Sequence, residues 1–485
     1  VTGVQTCALP IWIRAYKYSK KNPVDEMYKV EKGTYDVRFD FSSGATYYTN
    51  DIVVVYFDDK ISVSKKKKLM KEYGLGVMAQ CDSLNQVQLY VGKKKLGELE
   101  DICEDLENEN GVLFATTDTL QPYFLTYKYG GTDDPWDNTF IDSYWYEDKI
   151  NAKDAWSHSS DMKTVKVGIY DSGLYGDHED LKNVIKCLHD EDKTDDDTNF
   201  DGSGAHATHV AGIIGAERNN GKGLAGVSCN SDMVFNYAYR DKINIDVKLF
   251  NIDLFSFDVQ YISQLGWYYH ILELIKDDCK VVNISMGMNI DNTSENGKKM
   301  IEEEAKYSSF FVSRMLDSGY DFVICQAAGN SSTDSICSGS FCSITKDNCY
   351  TEARSYDDII SHVIVVGAVS TSFDGTTGML TYFSNYGDGV SITAPGEQIY
   401  SCIHPYSGVD KYYEYYDGTS MATPIVSAVC AMVWGANDKL SGADVKSIVC
   451  DTANTTYNIM PYQSEDNGSY RMVDAELAVE AALDR

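Results

Sequence analysis

The feature that most constrains this chain is an alternation that begins at Val165. Short β-branched and apolar runs take turns with stretches of helical apolar spacing. Residues 165–170, 233–238, 281–285, 322–327 and 363–369 read as strands. Residues 206–215, 259–275, 295–316, 420–434 and 443–452 read as helices. Strands this short and this uniformly apolar have no face suited to water. They predict an α/β domain, a mostly parallel sheet with helices on both faces. Sheets of that kind carry their chemistry beyond the carboxyl ends of the strands.

The upstream pattern differs. Residues 52–57 (IVVVYF) read as a strand, and 62–73 as a lysine-rich helix stopped by Gly74. Residues 76–80 and 87–91 alternate like strands, and 112–115 form a last one. Leu96, Leu99, Ile102 and Leu106 share one helical face, and Gly111 ends that helix. The order βαββαβ over residues 48–120 predicts a small α+β, ferredoxin-like sandwich. A loop rich in Tyr, Gly and Asp, 121–138, links it to a domain spanning 139–485. Residues 12–47 have no clear period and stay unassigned. Residues 1–11 (VTGVQTCALPI) resemble the in-frame translation of a sequencing-library adapter, and they make a poor signal peptide. Setting Cys7 aside leaves 13 − 1 = 12 native cysteines.

Charge removes one class of function. The 42 Lys+Arg face 73 Asp+Glu, a net −31, which excludes a general nucleic-acid binder because phosphate recognition needs clustered positive charge. No window approaches the run of about 20 apolar residues that spans a membrane. Most cysteines sit singly in apolar runs and read as small core residues. Cys337, Cys342 and Cys349 cluster in a Ser/Gly-rich stretch and could form a disulfide or bind a metal. The seven acids within 190–201 read as a solvated loop rather than a cation site.

Three motifs can carry chemistry. Gly418-Thr419-Ser420-Met421-Ala422-Thr423-Pro424 puts a serine at the positive end of an apolar helix, where a developing oxyanion is favoured. Read alone, it competes with a plain serine N-cap. A nucleophilic serine needs a base, usually histidine. The last histidine is His404, so none follows Ser420, and the α/β-hydrolase order is excluded. The trypsin-like order belongs to a β-barrel, which the α/β pattern contradicts. There remains the order Asp, His, Ser. Asp171 in Val167-Gly168-Ile169-Tyr170-Asp171-Ser172-Gly173 ends a buried strand. Gly204-Ala205-His206-Ala207-Thr208-His209-Val210-Ala211-Gly212 puts two histidines at a helix start, one read as catalytic and one as structural.

Jointly and in this order, the three motifs resemble those of the subtilisin-like serine proteases, over residues from about 151 to 483. The resemblance implies Ser420 as nucleophile, His206 as general base and acid, and Asp171 as the carboxylate that orients the imidazole. Gln326-Ala327-Ala328-Gly329-Asn330 resembles the oxyanion-hole segment, so Asn330 would donate beside the backbone N–H of Ser420. Val282-Asn283-Ile284-Ser285-Met286-Gly287 resembles the strand that pairs with substrate, so Ser285, Met286 and Gly287 would line the cleft. Asp180, and Asn219 in a loop that often ligates calcium, imply a structural calcium site, while the chemistry needs no cofactor. Two departures stand out. Ala207 replaces the usual glycine after the catalytic histidine, and residues 331–354 are an insertion. Residues 239–257 are also longer and more apolar than the family pattern.

The resemblance also gives 48–120 a role, as a prodomain that assists folding and inhibits the enzyme until a cut within 121–138. The function implied is an extracellular or cell-surface serine endopeptidase acting on polypeptides and made as a self-processing zymogen. The competing reading is a catalytically silent binding or adhesion module on the same scaffold.

Overall fold

The computed structural model describes residues 25–27, 37–40, 46–122, 145–187, 205–237, 241–249, 252–405, 412–463, 468 and 470–485. The readings for 1–11, most of 12–47, the loop 123–138 and the acidic run 190–201 lie outside these residues. The chain divides into two compact units, Val1–Tyr123 with Asp241–Tyr269, and Phe124–Arg240 with His270–Arg485.

The smaller unit is built on an antiparallel sheet. Its strands run in the order Asp25–Met27, Gly76–Cys81, Gln86–Tyr90, Thr46–Phe57, Val112–Pro122, Ile252–Ser263 and Asp241–Leu249, and Val37–Asp40 pairs with Thr46–Phe57. The helices Val63–Tyr73 and Leu96–Glu107 connect them. Ser62 starts the first helix by accepting the Lys65 N–H at 3.2 Å. Period-two alternation sends Val53, Val55, Phe57, Val87 and Leu89 to one face, where they pack with Leu69, Leu99 and Leu106. Each such buried side chain contributes about 1.5–3 kcal/mol. Neighbouring positions on these strands are also buried but polar, among them Gln86, Gln88, Thr116 and Asp118.

One element differs from expectation. Helical spacing predicts a helix over the whole of 259–275, but strand Ile252–Ser263 ends only where helix Gln264–Lys276 begins. Residues 239–257, the overlong stretch, fall largely in a hairpin of Asp241–Leu249 and Ile252–Ser263. Phe255, Phe257, Val259 and Tyr261 alternate with period two, which suits a strand, and Tyr261 to Ser263 pair with Pro122 to Leu120. Ladder pairing overrides the helical spacing until the ladder stops.

The larger unit holds a ten-stranded sheet. Its order is Thr377–Leu380, Asn454–Met460, Tyr470–Met472, Ile392–Pro395, Val363–Asp374, Val323–Ala327, Val281–Ile284, Val165–Asp171, Ser231–Tyr237 and Ile185–Cys187. Every neighbouring pair from Tyr470–Met472 to Ile185–Cys187 is parallel. Several strands at the far edge escape the sequence pattern because they are short and interleaved with polar residues. Helix Thr419–Ala436 lies against six of the strands and against helix Ala205–Gly215, and nearly all of its residues are buried. Among the described residues it alone is long and apolar enough to cross a membrane, and it is the core helix of this unit.

Candidate active site

Three elements converge at one end of the sheet. Strand Val165–Asp171 lies between parallel neighbours and delivers Asp171 at its carboxyl end, fully buried. Helix Ala205–Gly215 presents His206 in its first turn, 4% exposed. Helix Thr419–Ala436 presents Ser420 in its first turn, 3% exposed.

Asp171 and His206 are in direct contact. Nδ1 of His206 lies 2.8 Å from Asp171 Oδ1, which also accepts Ser172 N–H at 2.6 Å and the Ser172 hydroxyl at 3.3 Å. A carboxylate can only accept, so Nδ1 carries the proton and Nε2 is left as an acceptor. Nε2 is buried without a hydrogen-bond partner among the described residues. Ala207, where the resemblance expects glycine, is completely buried. His209, one turn along, has other work. Its Nε2 lies 3.1 Å from Glu414 O, its ring stacks on Tyr416 at 4.4 Å, and burial pushes its pKa down to about 3. It stays neutral and structural.

Ser420 is held by a segment that the sequence motif assigns only to substrate. Its hydroxyl donates to Ser285 O at 3.0 Å, and the Ser285 hydroxyl donates to Ser420 O at 2.9 Å. The second bond has a local cause. Pro424 lies inside the helix, four residues after Ser420, and has no N–H for that carbonyl. Ser285 supplies the missing donor. Asn283 donates to Ser285 Oγ at 3.0 Å and accepts from Ser427 at 2.9 Å, which completes a buried network. The proline was the available signal, since an interior proline orphans the carbonyl one turn back.

Asn330 follows strand Val323–Ala327. Its Oδ1 accepts from Thr419 N at 2.9 Å and Thr419 Oγ1 at 2.8 Å, so its orientation is fixed and Nδ2 faces away from them. A Cβ placed on Gly418 would lie 3.4 Å from Asn330 Nδ2 and 3.5 Å from Ser420 N. The two donors therefore border one small space, which glycine leaves open. Met286 O accepts from Gln326 Nε2 at 3.2 Å, and Gly287 is exposed.

The calcium expectation does not fit these residues. Calcium needs about six to eight oxygen ligands. Asp180 is buried and both its oxygens already accept hydrogen bonds, Oδ1 from Asn220 Nδ2 at 2.6 Å, Oδ2 from Leu224 N at 2.9 Å and Tyr413 OH at 3.1 Å. Asn220 Oδ1 accepts Lys222 N–H at 2.8 Å, so its amide is oriented with nitrogen toward the aspartate. Asn219 is exposed with φ 61°. The loop thus turns Asn220, not Asn219, to Asp180 and fills it with N–H and O–H donors. Among the described residues no group of three or more His, Cys, Asp or Glu is placed to hold a metal. Cys337, Cys342 and Cys349 are free thiols, and burial pushes each thiol pKa up. The cysteine insertion therefore gathers neither a disulfide nor a metal site here.

The chain is similar to known proteins. The sequence model of the subtilase family, peptidase S8, matches residues 162–475. The chain is 26% identical over 414 residues to the thermophilic serine proteinase of Bacillus sp. strain AK1, covering 84% of this chain and 82% of that one. It is 29% identical over 287 residues to the major intracellular serine protease of Bacillus subtilis, covering 59% of this chain and 72% of that one. Its fold is similar to that of fervidolysin from Fervidobacterium pennivorans, with a TM-score of 0.59 at 19% identity over 94% of this chain and 64% of that one. With its subtilisin-like fold and a family match over most of its length, the chain belongs to the subtilase family of serine-type endopeptidases.

Proposed function

We propose that this chain cleaves polypeptides through Ser420, His206 and Asp171. The observation that carries the reading is the 2.8 Å contact between His206 Nδ1 and Asp171, which leaves a buried Nε2 as the base. In the resting arrangement the Ser420 hydroxyl rests on Ser285 O. Rotation about its Cα–Cβ bond frees it to give its proton to Nε2 as Oγ attacks the scissile carbonyl carbon. The oxyanion that forms is received by Asn330 Nδ2 and Ser420 N–H. Donors fixed in a buried site stabilise that charge without reorganising. Collapse passes the proton from Nε2 to the leaving amine and leaves an ester on Ser420. Water, deprotonated by the same nitrogen, then hydrolyses the ester. Ser285, Met286 and Gly287 would border the bound chain, and no cofactor enters these steps.

The same proposal makes 48–120 an inhibitory prodomain removed by a cut within 121–138, and places the mature enzyme outside the cell or at its surface. A silent scaffold is favoured only by the Ser420–Ser285 bond, and one rotation removes that objection. The test compares the full-length protein with Ser420→Ala on casein. The wild type should hydrolyse casein and shed its N-terminal segment, while the variant does neither. Equal activity in both, or a wild type inert after processing, contradicts the reading.

A further inference from the structure

The insertion after Asn330 returns to the site at Ser338, whose role rests on the endopeptidase reading. Two segments flank Ser420. One runs from Ser285, whose carbonyl accepts the Ser420 hydroxyl, to Gly287. The other runs from Ala328 to Asn330, which holds Thr419. Each has a glycine at its solvent side, Gly287 exposed and Gly329 half-buried. Between them, fully buried, lies Ser338 at the end of the 3-10 turn Ser335–Ser338. Its carbonyl accepts Met288 N–H at 2.8 Å, and the carbonyl of Cys337 accepts Ile290 N–H at 2.8 Å. Its hydroxyl donates to Ala328 O and accepts from Asn385 Nδ2 at 3.0 Å. A Cβ at Gly287 would stand 3.1 Å from Ser338 O, and one at Gly329 only 2.1 Å from Ser338 Oγ. Ser338 thus fastens the two segments together and fills the space beneath both glycines.

We propose that Ser338 is the floor of the pocket for the residue on the acyl side of the cleaved bond, and that it restricts that residue to small side chains. With the acyl carbon on Ser420 Oγ and its oxygen toward Asn330 Nδ2, the acyl residue lies over the two flanking segments. A side chain directed into the protein from there enters between Gly287 and Gly329. Alanine or serine ends above Ser338. Leucine or phenylalanine has to displace a buried hydroxyl bonded on both sides, leaving Ala328 O and the Asn385 amide unpaired. The sequence near Ser420 gives no sign of this restriction, which comes from an insertion that returns to the site through backbone carbonyls.

The test uses full-length protein and matched peptides that differ only in the residue before the scissile bond, Ala, Leu or Phe. Rates are normalised to the fraction of Ser420 that a fluorophosphonate labels. The wild type should favour Ala over Phe in kcat/KM by at least about tenfold, the scale on which a pocket discriminates methylenes. Ser338→Gly should narrow that ratio. A wild type that cleaves the Phe peptide as well as the Ala peptide overturns the proposal whether or not the variant folds. So does a labelled Ser338→Gly protein with an unchanged ratio. Labelling without small-residue preference leaves the endopeptidase reading standing; no labelling and no cleavage of any peptide removes both.

Discussion

Asp171 and Asp118, one in each unit, are both completely buried, and their surroundings differ. Asp171 ends a parallel strand and accepts from Ser172 N–H at 2.6 Å and His206 Nδ1 at 2.8 Å. Asp118 lies in strand Val112–Pro122 and, among the described residues, accepts only at long range, from Gln88 Nε2 at 3.3 Å and Gln264 N–H at 3.4 Å. Burial raises the Asp118 pKa from 3.8 to about 7, and the neighbouring Asp51 carboxylate adds to the rise. Burial is common to both, so the donors decide what each carboxyl can do. Close donors make a fixed acceptor that can orient an imidazole. Weak donors make a group that binds a proton within the range of ordinary buffers.

Substitutions that treat the two alike should separate them. Asp171→Asn keeps shape but reverses the donor logic at Nδ1, and kcat should fall on the order of 10⁴-fold on a peptide substrate. A loss under tenfold would mean the contact does not orient the base. Asn330→Ala removes one oxyanion donor and should cost roughly 10²- to 10³-fold in kcat with little change in KM. A change confined to KM would place Asn330 in ground-state binding instead.

Asp118→Asn should leave its mark on the pH dependence of stability. Its folded pKa of about 7 lies above the 3.8 of the exposed group, so the folded state holds the extra proton. The contribution is fully present below about pH 3.8 and is lost as pH rises through about 7. Melting the full chain across that window should show wild type losing stability relative to Asp118→Asn. Parallel curves would mean that Asp118 is less deeply desolvated than its burial implies. Ser285→Ala should have the smallest effect, about 1–3 kcal/mol in denaturant melts, because Ser420 O then faces Pro424 with no donor. No change would show that water replaces the hydroxyl.

What was legible in the sequence was what is local. Asp171, His206 and Ser420 each sit in a run whose strand end or helix start can be read from a few neighbours, and their order excluded the competing folds. Asn330 and its glycine follow a strand in the same way. What failed depended on contacts distant in sequence. Residues 259–263 have helical spacing, yet pairing of 259–261 with 241–243 and of 261–263 with 120–122 makes them a strand. Asn219 and Asn220 are indistinguishable by composition, and only the left-handed backbone at Asn219 turns the second toward Asp180. Ser338 acts through a carbonyl and a hydroxyl bonded to residues 50 and 47 positions away, Met288 and Asn385, which no spacing rule reports. Pro424 is the intermediate case. Its missing N–H forecasts an orphaned carbonyl at Ser420, but not that Ser285 would satisfy it.

The central claim is that His206, oriented by Asp171, activates Ser420. The most direct measurement is the rate and site of fluorophosphonate labelling, read by peptide mass spectrometry, in wild type and in His206→Ala. The account predicts a single adduct on Ser420 in wild type and a rate at least about 10³-fold lower in the variant. An adduct at another serine, or equal rates in the two proteins, would contradict it.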